Sequence, residues 1–315
     1  MTVTRKQVRQ ALLDEDITGG LYGTATTGAP LQLTDATLLK VAGNSVARYG
    51  SFYLYRPSAA TAGDVIRRVT PTGYDSDEGQ ITHSGPAWAI NPLASSDSGY
   101  YELWPWNPRD INRAFTRAMQ TRLFSIQQDN ITTNGQSRYE VAASPFTLTD
   151  IESPQNQILE VGQVLGTDPN ARISVWPKEG RTWWPEPDND TLYIRFDSPP
   201  SGTIRITWKK PYTALSDETT TSTVNKQWAM WAMAMELFLA LGKQAQSRGE
   251  TSANYDTLFE YASKRYWARR QMFMDRFASQ LITPRPRWRS KAASPRMGRG
   301  FNSSLGGDGG MTVSA

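Results

Sequence analysis

Val8, Ala11 and Leu12 recur three and four positions apart, behind a Thr4 and Gln7 pair spaced for a capping box. A short helix is predicted from Thr4 to Asp16, with a stripe so narrow that it must lean on another element. From Thr18 to Trp106 the period changes to two, in short runs separated by Gly, Pro, Ser and Asp, which predicts a small β-domain. A second helix has the clearest start in the chain. Asn107 can cap it, Pro108 suits the first helical position, and Asp110 complements the positive end of the dipole. Its stripe of Ile111, Ala114, Phe115, Ala118, Met119, Leu123 and Ile126 predicts that it runs to about Gln127.

Alternation returns between Ser137 and Tyr212, with strands expected at Arg138–Ala142, Gln157–Val164, Ile173–Trp176, Thr191–Phe196 and Gly202–Lys209. In the last of these Ile204, Ile206 and Trp208 share one face and Arg205, Thr207 and Lys209 the other, a pattern that buries one side. A polar linker from Thr219 to Ser222 leads to Asn225–Gly242, which is apolar all round and interrupted mainly by Glu236. Such a helix is a buried one, and this one is too short to span a membrane. A last helix is expected from Ala253 to Ser279. Beyond Leu281 the chain turns to Pro, Gly, Ser and Arg, and cannot fold alone.

The resulting expectation is an α+β protein. A helical bundle would form its core, with inserted small β-domains of barrel or sandwich type and an extended C-terminal tail. The divisions are 1–17 for the first bundle helix, 18–106 for the first β-domain and 107–130 for a bundle helix. Residues 131–215 form the second β-domain, 223–281 the C-terminal bundle helices, and 282–315 the basic tail. Ile111, Phe115, Trp228, Trp231, Leu237 and Phe238 are the expected bundle core.

Composition removes several kinds of chemistry. With no cysteine there is no disulfide, thiolate metal site or thiol nucleophile, and one histidine, His83, cannot form a His-pair metal site. His83 follows a strand where a turn is expected, without a Gly-x-Ser-x-Gly elbow, and reads as a partly exposed loop residue. The acidic runs Asp75–Glu78 and Glu186–Asp190 lie among turn residues and read as solvated turns rather than catalytic or calcium-binding carboxylates. No Gly-rich phosphate loop occurs. The chain therefore reads as a non-enzyme without cofactor or metal. The mean hydropathy of -0.53 and the absence of a long apolar run give no sign of a membrane segment, and the N-terminus gives no sign of export.

Net charge is +4, yet the tail alone holds six basic residues against Asp308, so the rest of the chain is close to neutral. Arg285, Arg287, Trp288, Arg289, Lys291, Arg296 and Arg299 make this tail suited either to nucleic-acid phosphates or to an acidic cleft. Trp104, Trp106, Trp176, Trp183 and Trp184, several of them beside proline, could pack strand ends, form a subunit interface, or stack on sugar rings.

The run Leu31–Ala118 carries a resemblance. Its strands are Leu31-Gln-Leu-Thr-Asp-Ala-Thr-Leu-Leu39, Ser51-Phe-Tyr-Leu-Tyr55, Gly63-Asp-Val-Ile-Arg-Arg-Val-Thr70, Gly79-Gln-Ile-Thr82 and Ser98-Gly-Tyr-Tyr-Glu-Leu103. They precede the helix start at Ile111-Asn-Arg-Ala114. In that order they resemble the head–tail connector, or adaptor, proteins of tailed bacteriophages. The resemblance implies a structural virion protein of the phage neck, assembled in the host cytoplasm. It implies a homo-oligomeric ring of twelve subunits whose helices carry the ring contacts, and a tail that docks on the portal protein near the packaged DNA. It further implies a downstream neck, stopper or tail protein as the other partner. The alternative is a carbohydrate-binding virion or baseplate decoration protein that uses the exposed Trp residues.

Overall fold

The computed structural model describes residues 2–15, 17–25, 27–29, 32–35, 52–57, 65–75, 80–84, 99–142, 158–165, 172–176, 182–188, 191–215, 218 and 220–280. The chain enters through a two-residue strand, β1 (Val3–Thr4), and helix α1 (Arg5–Leu13). The Thr4 hydroxyl accepts from the Gln7 N–H at 3.3 Å and the Gln7 side-chain carbonyl accepts from the Thr4 N–H at 3.0 Å, so two otherwise orphaned amides are satisfied.

Seven strands follow: β2 (Leu21–Thr24), β3 (Thr27–Ala29), β4 (Gln32–Thr34), β5 (Tyr53–Arg56), β6 (Val65–Asp75), β7 (Gln80–His83) and β8 (Tyr100–Trp104). They form one antiparallel sheet in the order β2-β8-β5-β6-β7-β4-β3. Alternation decides its two faces. Leu54, Tyr101 and Leu103 join Leu33, Val69 and Ile81 in one cluster, while Tyr55 and Trp104 point the other way into a second. As a result all five residues of β8 are buried.

Asn107 caps α2 (Pro108–Thr121), its side chain accepting from the Arg109 N–H at 3.0 Å. The helix ends at Thr121, short of the expected Gln127, because Phe124 already begins a nine-residue strand, β9 (Phe124–Thr132). β10 (Arg138–Ala142), β11 (Ile158–Leu165), β12 (Arg172–Val175), β13 (Trp183–Asp188), β14 (Thr191–Phe196) and β15 (Thr203–Pro211) complete two further antiparallel sheets, β12-β11-β15-β9 and β10-β14-β13. Val161, Ile204 and Ile206 of one sheet and Tyr139, Leu192 and Ile194 of the other share a single core, which makes the pair a small sandwich. β15 buries more than the one face expected. Thr207 and Lys209 are buried too, because the far end of the strand runs under the helices, where the Lys209 ammonium lies 5.0 Å from the Phe124 ring.

β16 (Thr221–Ser222), expected to be linker, pairs with β1. Two helices close the described chain, α3 (Lys226–Ser247) and α4 (Ala253–Gln280). Every residue from Trp228 to Phe238 is buried, and Trp228 stacks on Phe273 at 4.8 Å and meets Phe124 edge-on at 5.3 Å.

The expectation of a helical bundle as the core of the fold is overturned. Among the described residues sixteen strands in four antiparallel sheets outweigh four helices, and the fold is mostly β-sheet. The helices form one of three hydrophobic clusters, and even that cluster takes Tyr55, Trp104 and Phe124 from strands.

Candidate functional site

α1 is held to the rest of the molecule by a buried ionic cluster. Arg9, fully buried, lies between two carboxylates: its Nε and Nη2 donate to Glu102 of β8 at 2.9 and 3.0 Å, and its Nη1 and Nη2 donate to Glu218 at 2.8 and 3.0 Å. Arg5 adds a bond to Glu218 at 2.8 Å, and Arg9 Nη1 also reaches Asn112 of α2 at 3.2 Å. Glu102 further accepts from the Tyr100 hydroxyl at 2.9 Å and from the Trp104 indole at 2.8 Å. Two cations and two anions thus cancel out of water with their lone pairs occupied, which is the condition under which buried charge is tolerated. Burial alone would lower the Arg9 pKa, yet Glu102 and Glu218 raise it well above its ordinary value. Burial, reinforced by Glu102, raises the Tyr100 pKa, so its hydroxyl stays protonated and able to donate. The charged atoms of this cluster are engaged by one another, which makes it a brace between sheet and helices rather than a reactive centre.

A second brace sits on α3. Glu236, buried in the apolar helix, accepts from Arg117 at 3.0 Å and from Arg122, and the Tyr266 hydroxyl of α4 donates to the Arg122 carbonyl at 2.8 Å. The C-terminal end of α2 is thereby tied to both later helices.

The feature best placed to meet another molecule is a groove of about 820 Å³ between α1, the first turn of α3 and the C-terminal third of α4. Val3, Val224 and Trp228 give it an apolar floor, and Lys226, Arg269 and Arg276 bring positive charge to it. The one carboxylate at its wall, Asp14, is engaged by the Tyr22 hydroxyl, whose pKa is raised by partial burial and by that bond. Asn225 caps α3 by accepting from the Trp228 N–H at 3.0 Å, and the first amides of that helix lack acceptors within it. Beside the groove α4 exposes Met272 at 60% and Trp267 at 44%.

The tail residues Arg285, Arg287, Trp288, Arg289, Lys291, Arg296 and Arg299 lie outside the described residues. Ile111, Phe115, Trp228, Trp231, Leu237 and Phe238 are all buried in the cluster that holds the helices. The aromatic residues do not form one exposed surface. Trp104 is fully buried and donates to Glu102, Trp106 packs edge-on against Phe238 at 5.3 Å, and Trp176 meets Phe196 at 5.6 Å. Trp183 and Trp184 fall on β13, not on a loop, so their side chains take opposite faces: Trp183 is 2% exposed and Trp184 36%. A sugar platform built from both is therefore excluded by the pleat.

His83 also departs from expectation. It ends β7 on the same inward face as Ile81, is buried, and has its pKa lowered, chiefly by that burial. Glu186 and Asp188 are strand residues near Arg138, with Asp188 accepting from it at 2.8 Å. Asp75 closes β6, and Ser76–Glu78 lie outside the described residues. Among the described residues no cluster of His, Asp or Glu is arranged to hold a metal, and no helix is long and apolar enough to cross a membrane. Sequence reasoning missed Arg9 and the groove. Arg9 left a signal, since it falls three and four positions before Leu12 and Leu13 on the apolar side of α1; the groove joins segments more than 200 positions apart and left none.

Neither a known protein family nor a curated protein matches this chain.

Proposed function

We propose that the chain is a structural subunit of the head-to-tail adaptor ring in the neck of a tailed phage, non-enzymatic, attached to the portal through its helices and C-terminal tail. The ring would hold twelve copies and pass the connection on to the next neck or tail component. What supports this reading is the run whose order carries the resemblance. Its strands β4 to β8 belong to one sheet, and that sheet leads directly into α2 through the Asn107 cap. In the sequence the basic tail follows directly on α4, a helix that exposes Trp267 and Met272, so a docking segment is continuous along the chain with a partly apolar helix.

Deletion after Leu281 tests the attachment. The truncated chain should melt at the same temperature as the full chain, because the described core ends before it, yet fail to bind the portal ring. Reversing Arg285, Arg287 and Arg289 to Glu should weaken binding in a manner that depends on salt. Undiminished attachment by the truncated chain would take the tail out of the mechanism. Retention on host glycans without any portal binding would overturn the adaptor reading altogether.

A further inference from the structure

We infer that the groove between α1, α3 and α4 is a docking site for an acidic peptide segment of a partner protein. Three basic side chains, Lys226, Arg269 and Arg276, reach one cavity whose single carboxylate, Asp14, is already bonded to Tyr22. Lys226 and Arg269 have no carboxylate partner among the described residues. Both line the groove and are exposed, so an incoming carboxylate would gain two cations together with the Lys226 and Gln227 amides at the start of α3. The floor beneath is apolar, formed by Val3, Val224 and Trp228, so a carboxylate flanked by an aliphatic or aromatic side chain fits better than a bare ion.

Other occupants fit less well. The chain's own segment after Leu281 carries six basic residues and one acid, so the groove repels it. Single-stranded nucleic acid needs free aromatic faces, but the Trp228 ring is already taken by Phe273 at 4.8 Å and Tyr266 at 6.4 Å. An acidic peptide needs neither a free ring face nor a long basic track. The inference stands apart from the adaptor reading: the groove belongs to the folded body, and peptide binding and portal attachment can fail separately.

The test uses the full chain and fluorescent synthetic peptides in which Asp and Glu alternate with Leu and Phe. Controls are the same peptides with Lys in place of the acids, and a short oligothymidylate. Acidic peptides should bind, the Lys peptides should not, and Lys226→Glu with Arg269→Glu should weaken binding at least about tenfold. Lys243→Glu with Lys264→Glu changes the net charge equally outside the groove and should leave affinity unchanged. Unaltered melting temperatures establish that each variant is folded. The inference is overturned if no acidic peptide binds, or if both double variants lose binding alike. It is equally overturned if oligothymidylate binds through Lys226 and Arg269, which would assign the groove to phosphate.

Discussion

Trp231→Asp and Leu237→Asp should each leave no soluble folded protein. Both side chains sit at 0–1% exposure within Trp228–Phe238, the part of the helix that is buried on every side. Among the described residues no cation is placed against Leu237, and the Arg265 guanidinium near Trp231 lies 5.4 Å from the ring centre, over its face rather than at hydrogen-bond distance from a shorter aspartate. An ionised carboxylate moved into such a place costs several kcal/mol or takes up a proton, and either outcome is large against a total stability of about 5–15 kcal/mol. The Trp231 ring also meets Tyr261 edge-on at 5.6 Å, a packing that aspartate cannot reproduce. Leu237→Ala separates packing from charge. It should fold with a loss of about 2–5 kcal/mol, read by denaturant titration. Trp267→Asp is the positional control: that ring is 44% exposed on α4, and its variant should express and melt nearly as the parent does. Normal solubility and helicity of Trp231→Asp would show that α3 is not the interior element its burial makes it.

How much of this was legible depends on how local each signal is. Caps are local, and Thr4, Asn107 and Asn225 each start a helix within a residue or two of where the sequence places one. Alternation is local too, which is why β10 and β14 have the expected bounds and Ile204, Ile206 and Trp208 share a face. β9 escaped because Leu123 and Ile126 continue the helical spacing of α2, while nine successive pairings with β15 hold that segment extended. Tertiary pairing there outweighs periodicity. β13 was hidden by Pro185 and Pro187, which are tolerated because among the described residues the strand pairs with β14 alone and forms the edge of its sheet.

The fold class failed for a related reason. A helix apolar on all sides announces that something covers it, but not whether the cover is helix or sheet. For α3 it is partly Phe124, at the start of a strand that the sequence concealed inside a helix. The pairing of sixteen strands into four sheets is long-range information, and no local period carries it. The groove is likewise invisible in sequence, since Asp14, Lys226 and Arg269 share no motif and meet because three elements converge.

Arg9→Met should cost about 3–5 kcal/mol, the largest loss expected from removing one charge in this molecule, because it leaves Glu102 and Glu218 buried together without the guanidinium that separates them. Glu102→Gln should cost less. It keeps the shape and one acceptor oxygen, enough for either Trp104 or Tyr100, and Arg9 retains Glu218. The pH dependence distinguishes an ionic brace from simple packing. For Glu218 burial alone would raise the pKa, but the charges of Arg9 and Arg5 outweigh it and hold the carboxyl below its ordinary 4.5. A folded pKa below the unfolded one adds stability that is complete above 4.5 and is lost as pH falls through the folded value. In Arg9→Met the part of the depression due to Arg9 is lost, and Arg5 remains as the cation beside Glu218. The stability gap between parent and variant should therefore be widest near neutral pH and should narrow as Glu218 takes up its proton in the acid range. Denaturant titrations of the two proteins from neutral pH to below 4.5 measure that gap directly. A gap that stays constant across the range would mean that Arg9 contributes through its aliphatic stem and the 5.0 Å approach of its guanidinium to the Tyr55 ring, not through its charge pairs.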